Sequence, residues 1–218
     1  MYIEGGGNTA GQKAELRQGF DALFANEKSK ARDKRGGLKF ICCGSRQQAY
    51  EAFVNSLAVN PKTINALLVD SETPIDPVPA NEAEDARVRV AHLQQKAGNA
   101  GRGQGDGWQL TNVPPERVHL MVQCMEAWIV ADPDALEAFY QQHFKKASLP
   151  KRINLEAEPK ADLYEKLKNA TKGTTKGEYG KIKHASKLLL RIDSEKVAKR
   201  CPRFTIFRQW LVESIDAY

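Results

Sequence analysis

The chain has 218 residues, 41% hydrophobic and 28% charged, with a formal net charge of +6 and a pI near 9.1. This is the make-up of a soluble globular protein with one sizeable core, and no run approaches the roughly 18 consecutive apolar residues of a membrane span. No basic region followed by an apolar stretch opens the chain, so no signal peptide is expected.

Four cysteines (Cys42, Cys43, Cys124, Cys201) lie in or beside apolar runs and form no Cys-x-x-Cys pair. Adjacent Cys42 and Cys43 would point to opposite faces of a strand, which makes them poor partners for each other. Buried, reduced thiols in a cytoplasmic protein are expected, without zinc.

The run Met1-Tyr2-Ile3 ends at Glu4 and is followed at once by Gly5-Gly6-Gly7-Asn8, the pattern of a short buried strand. Leu16, Phe20, Leu23 and Phe24 then recur at helical spacing. A polar, basic loop carrying Lys28, Lys30, Arg32, Lys34 and Arg35 follows and ends at Gly36-Gly37. Residues 38–43 read as a second strand, and Tyr50, Phe53, Val54 and Leu57 as a second amphipathic helix stopped by Asn60-Pro61. Residues 64–69 form a third apolar run, closed by Asp70 and Glu72 with Ser71 between them. This is a βαβαβ order, and right-handed crossovers make it one parallel sheet with helices on its faces.

Regularity lapses over residues 73–117: Pro74, Pro77 and Pro79 open the stretch, residues 82–96 suit a helix, and residues 98–107 are glycine-rich and polar. A long excursion directly after two acids suggests a lid or substrate loop. Residues 118–124 read as a fourth strand ending at Glu126, and Trp128, Ile129, Leu136, Phe139 and Tyr140 follow at helical spacing. Asp132-Pro133 is an N-cap followed by proline at the first helical position. Short helices are expected over residues 161–169, 184–192, 195–200 and 204–215. The expected organisation is an α/β core over residues 1–144, with an insertion at about 73–117, and a basic helical C-terminal region over 145–218 packed on it.

Glu4, Asp70 and Glu72 all stand at the carboxyl ends of strands, where parallel sheets place their ligands. Acids gathered there repel one another unless a cation lies between them, and an oxygen-only set suits Mg²⁺ or Mn²⁺. Strand alternation would put Asp70 and Glu72 on one side with Ser71 pointing away. That pattern suggests metal-dependent phosphoryl transfer. Glu126 is a further candidate ligand, while Asp132 is more simply an N-cap.

The basic residues suggest the rest of a polyanionic substrate. Residues 145–208 hold roughly eighteen Lys and Arg against seven Asp and Glu. Within them Lys172, Lys176, Lys181 and Lys183 sit in a glycine-punctuated segment suited to a phosphate backbone. Lys181 could stabilise charge on the transferring phosphoryl group and His184 could protonate a leaving oxygen. A solvated, mobile loop is the plain alternative. Another is a nucleotide-binding Rossmann-type turn, in which Gly5, Gly7 and Gly11 hold a pyrophosphate and Ser45 and Arg46 a 2′-phosphate. A carboxylate beside that pyrophosphate counts against it.

Four blocks carry a family resemblance: Tyr2-Ile3-Glu4-Gly5-Gly6-Gly7-Asn8; Leu67-Leu68-Val69-Asp70-Ser71-Glu72-Thr73-Pro74; residues 119–128 from His119 to Trp128; and Lys176-Gly177-Glu178-Tyr179-Gly180-Lys181-Ile182-Lys183-His184. Together they resemble a toprim-like bacterial family encoded beside ATPases of the ABC or SMC type in anti-phage defence loci. The resemblance implies a toprim-like fold and a nuclease cutting a phosphodiester of DNA or RNA with Mg²⁺ or Mn²⁺, with the ATPase as partner. It implies that Glu4 is a metal ligand and general base and that Asp70 and Glu72 bind the metal. Asn8 stands where related toprim nucleases carry a second acid, and an amide offers a carbonyl oxygen but no charge. A catalytically silent adaptor that binds nucleic acid or the ATPase is the rival reading, and homo-oligomerisation is left open.

Overall fold

A computed structural model describes residues 1–60, 62–75, 78–79, 81–95 and 106–217. Four parallel strands, β1 (Tyr2–Glu4), β2 (Ile41–Gly44), β3 (Leu67–Asp70) and β4 (Val118–Met121), form one sheet in the order β2-β1-β3-β4. Among the described residues ten α-helices flank it, giving the α/β arrangement that the βαβαβ pattern predicts.

Alternation sorts the strands onto two faces. Ile3, Cys42, Leu68 and Met121 enter one core, and Cys43, Leu67, Val69 and Leu120 the other. Cys42 and Cys43 therefore do lie on opposite faces, and all four cysteines are free and buried. The first core is covered by α1 (Ala10–Leu23) and by the C-terminal helices α7 (Lys160–Thr171), α8 (Lys181–Leu189), α9 (Ser194–Arg200) and α10 (Pro202–Asp216), with Phe20, Phe24, Trp128 and Phe204 at its centre. The second lies beneath α3 (Arg46–Val59) and α4 (Glu82–Gln95) and takes in Trp108, Leu110 and Val113 from the returning limb of the insertion. Both α1 and α3 start with capping boxes, Thr9 with Gln12 and Ser45 with Gln48. No helix among the described residues is long and apolar enough to cross a membrane.

The structure departs from the sequence expectations in several places. The basic segment around Lys28 is not a loop but the helix α2 (Ala25–Asp33). Only Glu27 and Ala31 on it are buried, and Glu27 is buried because it meets the Arg208 guanidinium of α10 at 2.8 Å. A helix anchored by an ion pair has no apolar stripe to read. Its lysines face acids rather than standing free: Lys28 pairs with Asp21, and Lys30 and Lys34 with Asp216. Strand β2 starts at Ile41, not at residue 38, and the buried Phe40 before it serves the aromatic cluster. Strand β4 stops at Met121, so Glu126 does not close it but opens α5 (Glu126–Val130). Asp132 does cap α6 (Pro133–Tyr140), accepting from the Ala135 amide at 3.2 Å. Residues 98–105 of the glycine-rich stretch lie outside the described residues, as do Pro61, Pro77 and Lys96.

Candidate metal centre

The sheet order changes direction between β1 and β3, and ligands of open parallel sheets bind outside the carboxyl ends of the strands at such a switch point. Glu4 ends β1 and Asp70 ends β3, and one carboxylate oxygen from each of Glu4, Asp70 and Glu72 lies within 4.8 Å of the others. This is the cluster the sequence pattern predicts.

Each acid reaches it by a different route. Glu4 follows a register shift in β1, after which Gly5 and Gly44 clasp the two strand ends through paired backbone hydrogen bonds of 2.8 and 2.9 Å. Asp70 is 1% exposed, and its Oδ1 accepts the Met125 amide at 2.9 Å. Glu72 corrects the expectation of simple alternation, because the strand has already ended. Its φ is +69°, a left-handed conformation costing on the order of 1 kcal/mol for a non-glycine residue. Its amide donates to Gln123 O at 2.9 Å, and Ser71 between the two acids is fully buried with its hydroxyl donating to Thr73 O.

Three cations face the three acids. Arg46, in the first turn of α3, donates from Nη1 to Glu4 Oε2 at 3.2 Å and to the Asp70 carbonyl, while its Nε meets Asp106 at 2.9 Å and its guanidinium lies 4.8 Å from the Trp108 ring centroid. Lys181 Nζ is 3.1 Å from Asp70 Oδ2, and Lys160 Nζ is 2.6 Å from Glu72 Oε2. Burial pushes the Glu4 carboxyl up from its ordinary range and the Asp70 charge adds to this, while Arg46 and Lys181 oppose it. Burial pulls Lys181 down, but the Asp70 and Glu126 carboxylates outweigh it and hold the ammonium well above its ordinary value. The donor set fits a hard divalent cation, since it offers three converging carboxylates and no sulfur or imidazole.

Glu126 is not in the cluster. It is fully buried, its Oε1 accepts the Tyr179 hydroxyl at 2.9 Å, and its Oε2 stands 3.7 Å from Lys181 Nζ, so it anchors the lysine. Nor does His184 join the acids: it is 2% exposed among the rings of Phe139, Tyr140 and Tyr179, and its Nδ1 accepts the Gly180 amide. An imidazole so enclosed is a poor proton donor to a leaving group. Asn8 is exposed on the rim, its amide N–H donating to Gln12 Oε1 at 3.2 Å. Ser45 is simply the N-cap of α3, and Arg46 is turned to the acids.

The lysines divide. Lys181 belongs to the acidic centre, whereas Lys172 and Lys183 are exposed and bond only neutral oxygens, Asn169 Oδ1 and Lys176 O, and Lys176 lies over the Phe139 ring. If these three hold a phosphate backbone, changing them together to Ala should flatten the salt dependence of nucleic-acid binding by about one unit of log–log slope each. An unchanged slope in titrations from low to high salt would make them a solvated face.

Lys160 and His92 were not legible as site residues. His92 Nε2 lies 3.0 Å from Ser71 O and holds the turn that presents Glu72. Both arrive from elements distant in sequence, and a lone histidine or lysine carries no pattern.

Searches of curated proteins and of solved structures returned no match. Residues 3–212 match the family model described as a domain of unknown function, DUF4276, which spans nearly the whole chain, and the protein belongs to that family.

Proposed function

We propose that this protein is a divalent-metal-dependent nuclease of toprim-like type, hydrolysing a phosphodiester of DNA or RNA. The observation that carries the reading is the convergence of Glu4, Asp70 and Glu72 at the switch point of the sheet, with their oxygens within 4.8 Å of one another. Mg²⁺ or Mn²⁺ held by these three would supply Lewis-acid polarisation of the scissile phosphate and a water of lowered pKa. Around it the chain's own groups have distinct tasks. Lys181, fixed by Asp70 and Glu126, offers positive charge to a phosphoryl oxygen. Arg46 fixes Glu4 by binding its Oε2, and the raised carboxyl of Glu4 suits a proton acceptor. The basic C-terminal face would hold the flanking polymer, and the resemblance to a toprim-like family supports an ABC- or SMC-type ATPase as partner in anti-phage defence.

One observation favours the silent adaptor as a second reading. Glu4, Asp70 and Glu72 each already face a cation, Arg46, Lys181 and Lys160, so the cluster is neutralised from within. Incubating the purified chain with single- and double-stranded DNA and RNA, with Mn²⁺ or with EDTA, separates the two. Metal-dependent cleavage supports the nuclease; none with any substrate, even with the ATPase added, leaves the adaptor.

A further inference from the structure

Beside the carboxylates a cleft of about 270 Å³ opens between the Gly5–Gly7 loop and the first turn of α8. We propose that this cleft is a phosphate site that seats the phosphate of the nucleotide next to the scissile bond. The inference rests on the nuclease reading and deepens it.

Four sets of donors point to an anion. Gly6 and Gly7 follow one another with φ of +93° and +64°, a backbone that glycine adopts without strain, and both line the cleft. Neither N–H has a hydrogen-bond partner among the described residues. A Cβ at Gly7 would collide with Gln12 Oε1 and come within 3.2 Å of Ile182 Cδ1, so a side chain there would close the space. Across the cleft, α8 begins after Gly180, which has no side chain to cap it, leaving the amides of Lys181 and Ile182 at the positive end of a nine-residue helix. One turn further on, Ser186 lines the same cleft at 6% exposure with its hydroxyl unpartnered. Lys181 Nζ adds a full charge between this wall and Asp70. The rest of the lining mixes the apolar Leu16, Met125 and Ala185 with the polar Asn8, Gln12 and Ser45, and Glu4 also borders the cleft, its charge offset by Arg46 at 3.2 Å.

The test is an amide NMR titration of metal-free protein with inorganic phosphate and, separately, with a nucleoside 5′-monophosphate. Both should shift the amides of Gly6, Gly7, Lys181 and Ile182, and the nucleotide should bind the more tightly. Ile182 is 52% exposed, so Ile182→Glu is tolerated and places a carboxylate against the Gly6–Gly7 turn. It should weaken both probes by at least about tenfold, while Ile182→Gln stays within about threefold of the parent. Equal loss in the two variants, or shifts confined to surface lysines, would overturn the site. A parallel Mn²⁺ titration keeps the two readings apart. Mn²⁺ binding without phosphate shifts sinks this site alone; phosphate shifts without Mn²⁺ binding leave an anion site in the cleft but sink the metal centre and, with it, the assignment to a scissile bond.

Discussion

Asp70→Asn should abolish divalent-dependent cleavage while leaving nucleic-acid binding intact. The substitution removes one negative charge from three converging carboxylates and barely changes side-chain volume. Its Oδ1 can still accept the Met125 amide, so the turn after β4 keeps its anchor. Lys181 loses its partner at 3.1 Å but retains Glu126 at 3.7 Å, so the half-buried ammonium still faces a carboxylate. On the proposed nuclease reading, what goes is a charge that would hold the cation, and with it the Lewis-acid stabilisation that the cation would bring. That contribution is several kcal/mol, on the order of a thousandfold or more in rate. Cleavage with Mn²⁺ and binding in EDTA, measured on the same substrate, separate the two effects. A variant that cleaves as fast as the parent removes Asp70 from the chemistry, and one that loses binding as well points to a misfolded site.

The legible part of this centre was the part written locally. A carboxylate that closes an apolar run, followed by glycines or another acid, marks a strand end in a parallel sheet, and two such ends meet wherever the strands are neighbours. Glu4, Asp70 and Glu72 were readable for that reason, as were the sheet and most of the helices, whose apolar periods are visible. Groups recruited by tertiary contact were not readable. Arg46 looked like a phosphate ligand of a nucleotide turn, yet it braces Glu4 and the Asp70 carbonyl. Lys160 reaches Glu72 across 88 residues, and no spacing rule connects them. His184 misled in the opposite sense, since a histidine in a basic, glycine-rich block resembles an exposed acid catalyst but packs among aromatic rings. Helix α2 reads as a loop in the sequence because an ion pair, not an apolar stripe, fixes it to α10.

Removing one buried charge far from the cleft should cost more stability than any change on the rim. Asp85 on α4 is fully buried between two guanidinium groups: Arg89 pairs with its Oδ2, and Arg203 of α10 meets its Oδ1 from Nε at 3.1 Å and from Nη2 at 3.0 Å. Arg89 also donates to Val118 O of β4 at 2.7 Å, so this carboxylate joins the insertion helix, the sheet and the C-terminal region. Asp85→Asn keeps the shape but leaves two buried cations without the anion between them, with Glu82 and Glu156 as the remaining acids nearby. Breaking a buried pair from one side costs about 3–5 kcal/mol, because the partner's charge stays buried. For a chain of this length that lowers Tm by roughly 6–20 °C. Arg203→Met in the same background should restore part of the loss by removing one of the two buried cations that Asp85 balances. On the surface, Asp134→Asn, which breaks exposed pairs with Lys146 and Lys196, should leave Tm within the scatter of the measurement. Because α4 also carries His92 against Ser71, loosening it should blur the Glu72 turn, and Asp85→Asn should bind Mn²⁺ more weakly than Asp134→Asn even below its own Tm. Thermal scans and Mn²⁺ titrations of the three variants test this; a Tm for Asp85→Asn equal to that of Asp134→Asn would show that the buried network holds nothing together.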